Sequence, residues 1–273
     1  METMEIVRRA VPPCAIAACW LWETLVPARQ PLALPRRRNA VNLAIGFSNA
    51  ALAALAFSAL MAILADWTAA KGWGALNLVN LPFYIRWPVV LLCLDGFTYL
   101  WHFANHRSDW LWRFHQAHHS DHHLSATTAV RFHAGEIALS AGAKMALLPL
   151  LGFRLEELAA YETVLAAATA FHHANVSIGK WDTIVRWILV TPDMHKIHHS
   201  IDPRQMNGNF ATILSLWDRC GGTFQRPDHT ESLEFGVHEL TDRKFHGFVG
   251  IWRTPLQRFS RAIRGLPGER PPS

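Results

Sequence analysis

The most restrictive feature of this sequence is a stretch of apolar residues, from Leu43 to Ala65, that contains no charged side chain. A helix needs about 20 such residues to cross the ~30 Å hydrocarbon core of a bilayer. We therefore predict a membrane-spanning helix over Val41–Trp67. Similar stretches predict a second span at Trp87–His102 and a helical hairpin formed by Ile137–Phe153 and Leu158–Phe171.

The rest of the chain is too polar to lie within a membrane. Hydrophobic residues make up 51% of the sequence and charged residues 17%, yet the mean hydropathy is only +0.09. From about Ala174 onward no apolar run is long enough to cross a bilayer. We therefore predict an all-α protein with about four membrane spans and a polar helical domain that caps them. Residues 14–26, interrupted by Glu23, predict a further anchor helix that spans the bilayer or lies at its surface.

Basic residues predict the orientation of these spans. Arg29, Arg36, Arg37 and Arg38 lie in a short segment without acidic residues, which places that segment in the cytoplasm. Alternation of the spans then places residues 102–135 and 172–273 on the cytoplasmic side, and all 16 histidines fall in these two stretches. The formal charge of +5 does not indicate a nucleic-acid partner, because the basic residues are dispersed among apolar ones.

Three histidine clusters predict a metal centre. His102 and His106 are spaced HxxxH, and two HxxHH clusters come after them, at His115, His118 and His119 and at His195, His198 and His199. Composition alone would give about 0.05 HxxHH matches in a chain of this length. Residues three and four apart share one helix face, so each cluster can aim several imidazoles at one point. Eight imidazoles exceed the four positions of one zinc ion and predict two metal ions, but the spacing leaves Fe, Zn, Cu and Ni open.

Some polar residues beside the clusters are candidates to support them. Asp95 lies seven residues before His102 and eleven before His106, so the three share a helix face, and we expect its carboxylate to orient an imidazole. Asn175 is a second candidate; Asp121, Glu136 and Asp193 are weaker ones. The four cysteines form no CxxC pair, which argues against an iron–sulfur site or a zinc ribbon.

Five segments resemble the fatty acid hydroxylase (sterol desaturase) superfamily. They are LDGFTYLWH at 94–102, LWRFHQAHHSD at 111–121, TTAVRFH at 127–133, FHHAN at 171–175 and TPDMHKIHHS at 191–200. The resemblance covers roughly Leu92–Thr223 and is specific, because the three clusters occur in order. Phe103 and Ala134 depart from residues that are frequent in the family. Both are neighbours of histidines, so the departures bear on substrate more than on metal binding.

The resemblance implies a membrane-bound non-haem di-iron oxygenase that uses O2 to hydroxylate or desaturate a lipid. Members of the superfamily include sterol desaturases, sterol methyl oxidases, fatty acid hydroxylases and alkylglycerol monooxygenases. Two iron ions per chain and a separate electron donor are implied, the donor being a ferredoxin or a cytochrome b5-type protein with its reductase. The implied metal ligands are His102, His106, His115, His118, His119, His173, His195, His198 and His199.

Together these observations divide the chain into residues 1–91 as a membrane anchor, 92–223 as the catalytic region with the membrane hairpin at 137–171, and 224–273 as a cytosolic segment with a disordered tail. Residues Trp181–Val190 predict an interfacial helix over the site. Histidines whose roles stay open are His122, His123, His133 and His172. Basic residues that could steer an acidic redox partner or contact lipid headgroups are Arg107, Arg113, Lys180, Arg186, Lys196, Arg204 and Arg219.

Two other functions are compatible with a histidine-rich membrane protein. A metal transporter holds its ligands near the middle of the bilayer, whereas these clusters lie at predicted helix ends. A zinc hydrolase needs an arrangement such as HExxH, which the sequence lacks. Metal binding or transport is therefore the alternative to the oxygenase.

Overall fold

The computed structural model describes residues 2–30, 35–226 and 230–257, which form helices and no strand. The all-α prediction is confirmed. The longer helices are α1 (Glu2–Leu25), α2 (Pro35–Ala56), α3 (Ser58–Ala70), α4 (Phe83–Arg107), α5 (Asp109–His119), α6 (Ala134–Leu151) and α7 (Leu155–His173). The short helices after them are α8 (Asp182–Val185), α9 (Pro192–His198), α10 (Pro203–Met206), α11 (Leu216–Cys220) and α12 (Phe248–Trp252).

Within the described ranges, three helices are long and apolar enough to cross a membrane: α2 from Arg36 onward, α4 and α6. In the most apolar 18-residue stretch of each helix, only 22%, 28% and 17% of the residues, respectively, are buried inside the protein. Their apolar side chains therefore face outward, as lipid contact requires. The predicted fourth span lies in α7, which carries Glu156, Glu157 and Glu162 and is not one of the three.

The predicted single helix over Val41–Trp67 is wrong in one respect, because the structure divides it at Phe57. This residue lies between α2 and α3 with φ −118° and ψ −23°, outside regular helical geometry. Both resulting helices pack against α6. The division could not be read from the sequence, since neither proline nor glycine marks it and the apolar character is unbroken on both sides.

The predicted interfacial helix at Trp181–Val190 forms as a series of short turns and not as one regular helix. The structure forms a 3₁₀ turn at Gly179–Trp181, the four-residue α8 and a hydrogen-bonded turn at 186–188, after which Leu189 pairs with Leu214. The apolar side chains of this segment do point outward, as an interfacial role requires. Trp181, Ile184, Trp187 and Ile188 each have about 60% of their surface exposed.

Helices α4 and α7 are held in register by a buried ion pair far from the histidines. Arg86 on α4 contacts Glu157 on α7, with Nε and Oε1 2.6 Å apart. The same guanidinium donates to the carbonyls of Leu76 and Gly152. Because it ties two helices to the loops at their ends, this pair stabilises the packing of α4 and α7 at the ends that lie far from the histidines.

Helix α1 closes the other side of the histidine-bearing end. Its Glu23 is 8% exposed and accepts hydrogen bonds from the backbone N–H groups of Ala126 (2.9 Å) and Asn175 (2.8 Å). These two residues come after α5 and α7 respectively. One buried carboxylate of the N-terminal helix therefore fastens two segments that adjoin the histidine clusters.

Candidate metal centre

Nine histidines meet where the C-terminal ends of α4, α5, α7 and α9 come together. Each is at most 7% exposed. The structure brings together all nine histidines predicted as metal ligands, which are His102, His106, His115, His118, His119, His173, His195, His198 and His199.

The nine side chains form two groups. The five-histidine group consists of His102, His106, His115, His119 and His198, and the four-histidine group of His118, His173, His195 and His199. Within each group the candidate ligand atoms all lie within 4.8 Å of one another. The groups adjoin each other, because the rings of His119 and His199 stack with their centroids 4.4 Å apart. The arrangement offers two neighbouring metal positions.

Each HxxHH cluster contributes to both groups. On α5, His115 and His119 face the five-histidine group, whereas His118 faces the four-histidine group. The second HxxHH cluster is divided in the opposite sense: His195 and His199 face the four-histidine group and His198 the five-histidine group. Residues four apart in a helix differ by only about 40° in direction, so the first and last histidines act as a pair. The third points away from that pair and reaches the neighbouring position.

The four-histidine group has the spacing that metal ligands require. Nε2 of His173 lies 3.1 Å from Nε2 of His118 and 3.0 Å from that of His195, and the His195 and His199 Nε2 atoms are 3.1 Å apart. Nitrogens bound to one ion at about 2.1 Å, with a right angle between the bonds, lie about 3 Å apart. The residues present therefore fit a bound metal ion.

Backbone carbonyls fix the orientation of several imidazoles. Nδ1 of His102 lies 2.7 Å from the Phe210 carbonyl, Nδ1 of His198 2.8 Å from that of Gly208, and Nδ1 of His173 2.8 Å from that of Thr169. Since a carbonyl only accepts, Nδ1 carries the proton and Nε2 keeps its lone pair. Nε2 of His102 and Nε2 of His198 are buried without a hydrogen-bond partner, which is costly unless a metal ion binds there.

The electrostatic environment keeps these imidazoles neutral. Burial, reinforced by neighbouring histidines, holds the pKa of His119 and of His199 well below the usual 6.5. Burial also lowers the pKa of His198, to about 3, although the Gly208 carbonyl opposes the shift. The neutral imidazole is the form that binds metal. The centre is therefore prepared for metal ions rather than for anions.

A buried polar network contacts His118 at Nδ1, the ring nitrogen that points away from the four-histidine group. Its Nδ1 lies 3.2 Å from the carbonyl of Arg131, whose guanidinium is itself buried and donates to Asn42, Ser120 and the Ala117 carbonyl. Asn42 and Arg38 also bind Asp121. Burial opposes ionisation of Asp121, but Arg38 and Arg131 hold the pKa of its carboxyl well below the usual range.

Asp95 and Asn175 have partners other than the expected imidazoles. The Asp95 carboxylate accepts from Leu214 N–H (3.1 Å) and Trp217 Nε1–H (2.8 Å). It lies two turns before His102, about 10 Å along the helix axis, which is beyond hydrogen-bond reach. The side-chain amide of Asn175 bonds to the backbone N–H and carbonyl of Arg29 instead. Both residues therefore hold neighbouring segments in place.

The histidines with open roles lie around the two groups. His133 caps α6, since its Nδ1 accepts from the Gly135 N–H at 2.8 Å. The ring of His122 contacts that of His246 at a tilt of 46°, with centroids 4.7 Å apart, and His123 is half-buried. His172 is fully buried, with its ring centroid 4.0 Å from that of His195, but it belongs to neither group.

Sequence reasoning missed most of the groups that orient the imidazoles. Every residue carries a carbonyl, so nothing in the sequence distinguishes those of Gly208, Phe210 and Arg131. Among the weaker carboxylate candidates, Glu136 does contact a cluster histidine, with Oε1 2.7 Å from His115 Nδ1. Lys196, expected among the steering cations, is instead 2% exposed and bound to Asp193 and the Val176 carbonyl.

Comparison with known proteins gives a consistent assignment. Ornithine lipid hydroxylase OlsE of Rhizobium tropici is 29% identical over 194 residues, which are 68% of this chain and 56% of that protein. Human alkylglycerol monooxygenase is 27% identical over 193 residues, 67% of this chain and 41% of that protein. Delta(7)-sterol 5(6)-desaturase of Eremothecium gossypii is 27% identical over 74 residues, 27% of this chain and 17% of that protein. The chain spans about half the length of the first two relatives.

No solved structure matches this chain. A family model described as fatty acid hydroxylase matches residues 87–223, which is half of the sequence and contains all nine clustered histidines. The predicted catalytic region, residues 92–223, lies within this match. On the strength of that match, the chain belongs to the fatty acid hydroxylase family.

Proposed function

We propose that this protein is a membrane-bound non-haem di-iron oxygenase that hydroxylates or desaturates a lipid with O2. The observation that carries the proposal is the pair of adjoining, buried imidazole groups beside helices that can cross a membrane. The relatives support it, because their names describe a hydroxylase, a monooxygenase and a desaturase of lipids.

In this proposal the nine clustered histidines hold two iron ions, one in each group. Iron supplies the redox chemistry with O2 that oxidation of an unactivated C–H bond needs and that no side chain provides. The protein keeps the imidazoles neutral, orients those of His102 and His198 by a hydrogen bond from Nδ1 to a backbone carbonyl, and excludes water by burial. Asp95 and Asn175 would act by holding the segments around residues 214 and 29, without contacting the metal ions.

The lengths of the matches favour one class of lipid. The relatives that act on an ornithine lipid and on alkylglycerols match about two thirds of this chain, whereas the sterol desaturase matches 27% of it. We therefore propose a substrate with a polar headgroup and an acyl or alkyl chain in preference to a sterol. Its chain would lie along the outward-facing apolar surfaces of α2, α4 and α6.

The electrons would come from a separate protein, a ferredoxin or a cytochrome b5-type protein with its reductase. Arg107 and Arg113 are exposed on α4 and α5, next to the five-histidine group, and could attract an acidic donor. Their contact with lipid headgroups is equally compatible. Both roles place the histidine-bearing end of the protein at the cytoplasmic surface, which is the orientation that we propose.

The first experiment measures metal ions per chain in detergent-purified protein produced with iron-57. We expect two iron ions and a coupled Mössbauer signal in the native protein, and loss of both features in His118→Ala. The exposed His238→Ala is the matched control and should keep them. Stoichiometric zinc after iron-replete expression and anaerobic purification would reject the di-iron centre and favour metal binding or transport. With iron present, ¹⁸O₂ incorporation into lipid extracts identifies a hydroxylated product.

A further inference from the structure

The loop at residues 208–211 contacts the metal centre through two backbone carbonyls and through the ring of Phe210, which packs against the rings of His102, His106 and His198. The carbonyl of Gly208 accepts from His198, and that of Phe210 accepts from His102. One histidine belongs to the first cluster and the other to the last, yet both are members of the five-histidine group. This loop, here named the carbonyl clamp, thus sets the direction of two imidazoles from distant parts of the sequence.

Asn209 gives the carbonyl clamp its shape. It is the only residue other than glycine with a positive φ in the part of the chain that the structure describes, at 53°. Such a conformation is uncommon for a side-chain-bearing residue and is best tolerated by Asn. Its Nδ2 donates to the carbonyls of Met194 and Gln225, both at 3.0 Å, and its Oδ1 accepts from the Gln225 N–H at 2.8 Å. These bonds hold the turn that points the two neighbouring carbonyls toward the histidines.

Asp218 fixes the clamp from the other side. Its side chain is fully buried at the start of α11. One carboxylate oxygen accepts from the Phe210 N–H (2.7 Å) and the Thr223 hydroxyl (2.8 Å), and the other accepts from the Ala211 N–H (3.1 Å). The carboxylate therefore anchors the peptide groups on both sides of Phe210, and the imidazole of His102 also binds the second of them.

We propose that Asn209 and Asp218 are positioning residues of the metal centre that act through the carbonyl clamp. They hold the Gly208 and Phe210 carbonyls in place to accept from Nδ1 of His198 and of His102. Each of these histidines then carries its proton on Nδ1 and directs the Nε2 lone pair toward the five-histidine group. The inference rests on the proposed metal centre. It extends that proposal to two residues outside the histidine clusters, neither of which touches a metal position.

The contacts predict that these residues affect one metal position more than the other. In the four-histidine group, His118 is oriented by the Arg131 carbonyl and His173 by that of Thr169, outside the clamp. Loss of the clamp should therefore weaken binding at the five-histidine group and spare the other. A general loss of folding would instead affect both positions alike.

The test compares Asp218→Asn and Asn209→Ala with the native protein. Asp218→Asn keeps the size of the side chain but turns an N–H group toward a backbone donor. Loss of support of this kind typically weakens metal binding 10–100-fold. We expect that decrease for one of the two ions, with elemental analysis giving close to one metal ion per chain and the Mössbauer signal changing from a coupled pair to an isolated iron ion.

Two further variants separate positioning from structure. Asn209→Gly removes the side chain but tolerates the positive φ, so it should retain more metal than Asn209→Ala. Glu157→Gln disrupts the buried ion pair at the opposite ends of α4 and α7 and should lower the melting temperature while both ions stay bound. Two tightly bound ions in Asp218→Asn, or parallel loss of both ions in all variants, would overturn the inference.

The outcome is distinguishable from failure of the proposed function. Metal ions are counted whichever element is bound, so zinc in the native protein would reject the di-iron oxygenase and leave this test intact. In that case the Mössbauer measurement is replaced by substitution with Co²⁺, whose visible absorption reports each position. Selective loss of one ion would support the clamp with either metal.

Discussion

At the scale of single residues, the centre depends on neutral imidazoles that are held in one tautomer. Hydrogen bonds from Nδ1 to the carbonyls of Phe210, Gly208 and Thr169 leave the Nε2 atoms of three histidines free to bind metal. Burial lowers the pKa of His198 to about 3, so this imidazole is neutral near pH 7. Stability and metal binding are therefore linked through the same side chains.

This linkage predicts that the metal-free protein is sensitive to acid. Burial places the pKa of His119, His198 and His199 below the 6.5 of a free imidazole, so the unfolded chain takes up protons that the folded protein does not. The stability contributed by these neutral groups is complete above about pH 6.5 and decreases as the pH falls, by up to ~1.4 kcal/mol per histidine and pH unit.

We expect the melting temperature of the chelator-treated protein, measured by tryptophan fluorescence, to fall between about pH 7.5 and 5.5 for this reason. His198→Asn should reduce the dependence of the melting temperature on pH, because it removes one buried imidazole whose pKa is lowered in the folded protein. The exposed His238→Asn should leave this dependence unchanged. A melting temperature independent of pH over this range would contradict the assignment of neutral, buried imidazoles.

Glu136 provides a second prediction at this scale. Its carboxylate lies 2.7 Å from Nδ1 of His115 and orients that ligand. Glu136→Ala should weaken metal binding about 10–100-fold, whereas Glu136→Gln keeps an acceptor and should have a smaller effect. Metal affinity measured by competition with a chelator checks this. Equal affinity for the alanine variant and the native protein would show that the contact is dispensable.

At the scale of elements, periodicity in the sequence predicts which residues share a helix face, but it fails where tertiary contacts decide. The spacing of His115, His118 and His119 predicts candidate ligands on one helix, because i, i+3 and i+4 share a face. It does not reveal that His118 serves a different group, since this depends on where α7 and α9 lie. The break at Phe57 and the end of α8 at Val185 are not predictable for the same reason: packing overrides a continuous apolar pattern.

The buried pair of Arg86 and Glu157 yields a prediction about helix packing. Removal of one partner leaves an uncompensated charge, so Arg86→Met or Glu157→Gln should cost about 3–5 kcal/mol of unfolding free energy. The double variant should lose less unfolding free energy than the two single variants lose in total. The exposed pair of Arg154 and Glu156, 3.9 Å apart, serves as the control, and its removal should cost ~0–1 kcal/mol. Denaturant titrations in detergent measure these differences, and equal costs for the two pairs would contradict the prediction.

At the scale of the whole molecule, contacts with α4 determine the depth of the segment around residues 181–189. Asp95 is the thirteenth of the 25 residues of α4, so it lies about 18 Å from either end of a helix that can cross a membrane. Asp95 binds Leu214 and Trp217, and Leu214 pairs with Leu189. The segment therefore runs beside the middle of α4 instead of beyond its end.

At that depth we expect the side chains of Trp187 and Ile188, each 66% exposed, to face hydrocarbon and not water. We expect a cysteine placed at Ile188, in a variant whose four native cysteines are replaced by serine, to resist a membrane-impermeant maleimide in liposomes and to react once detergent is added. A cysteine at the exposed Arg204, the aqueous control, should react in both conditions. Equal labelling at the two positions in liposomes would place residues 181–189 in water and require α4 to cross the bilayer at a different height. Protection at Ile188 would instead place the exposed apolar side chains of residues 181–189 in direct contact with lipid.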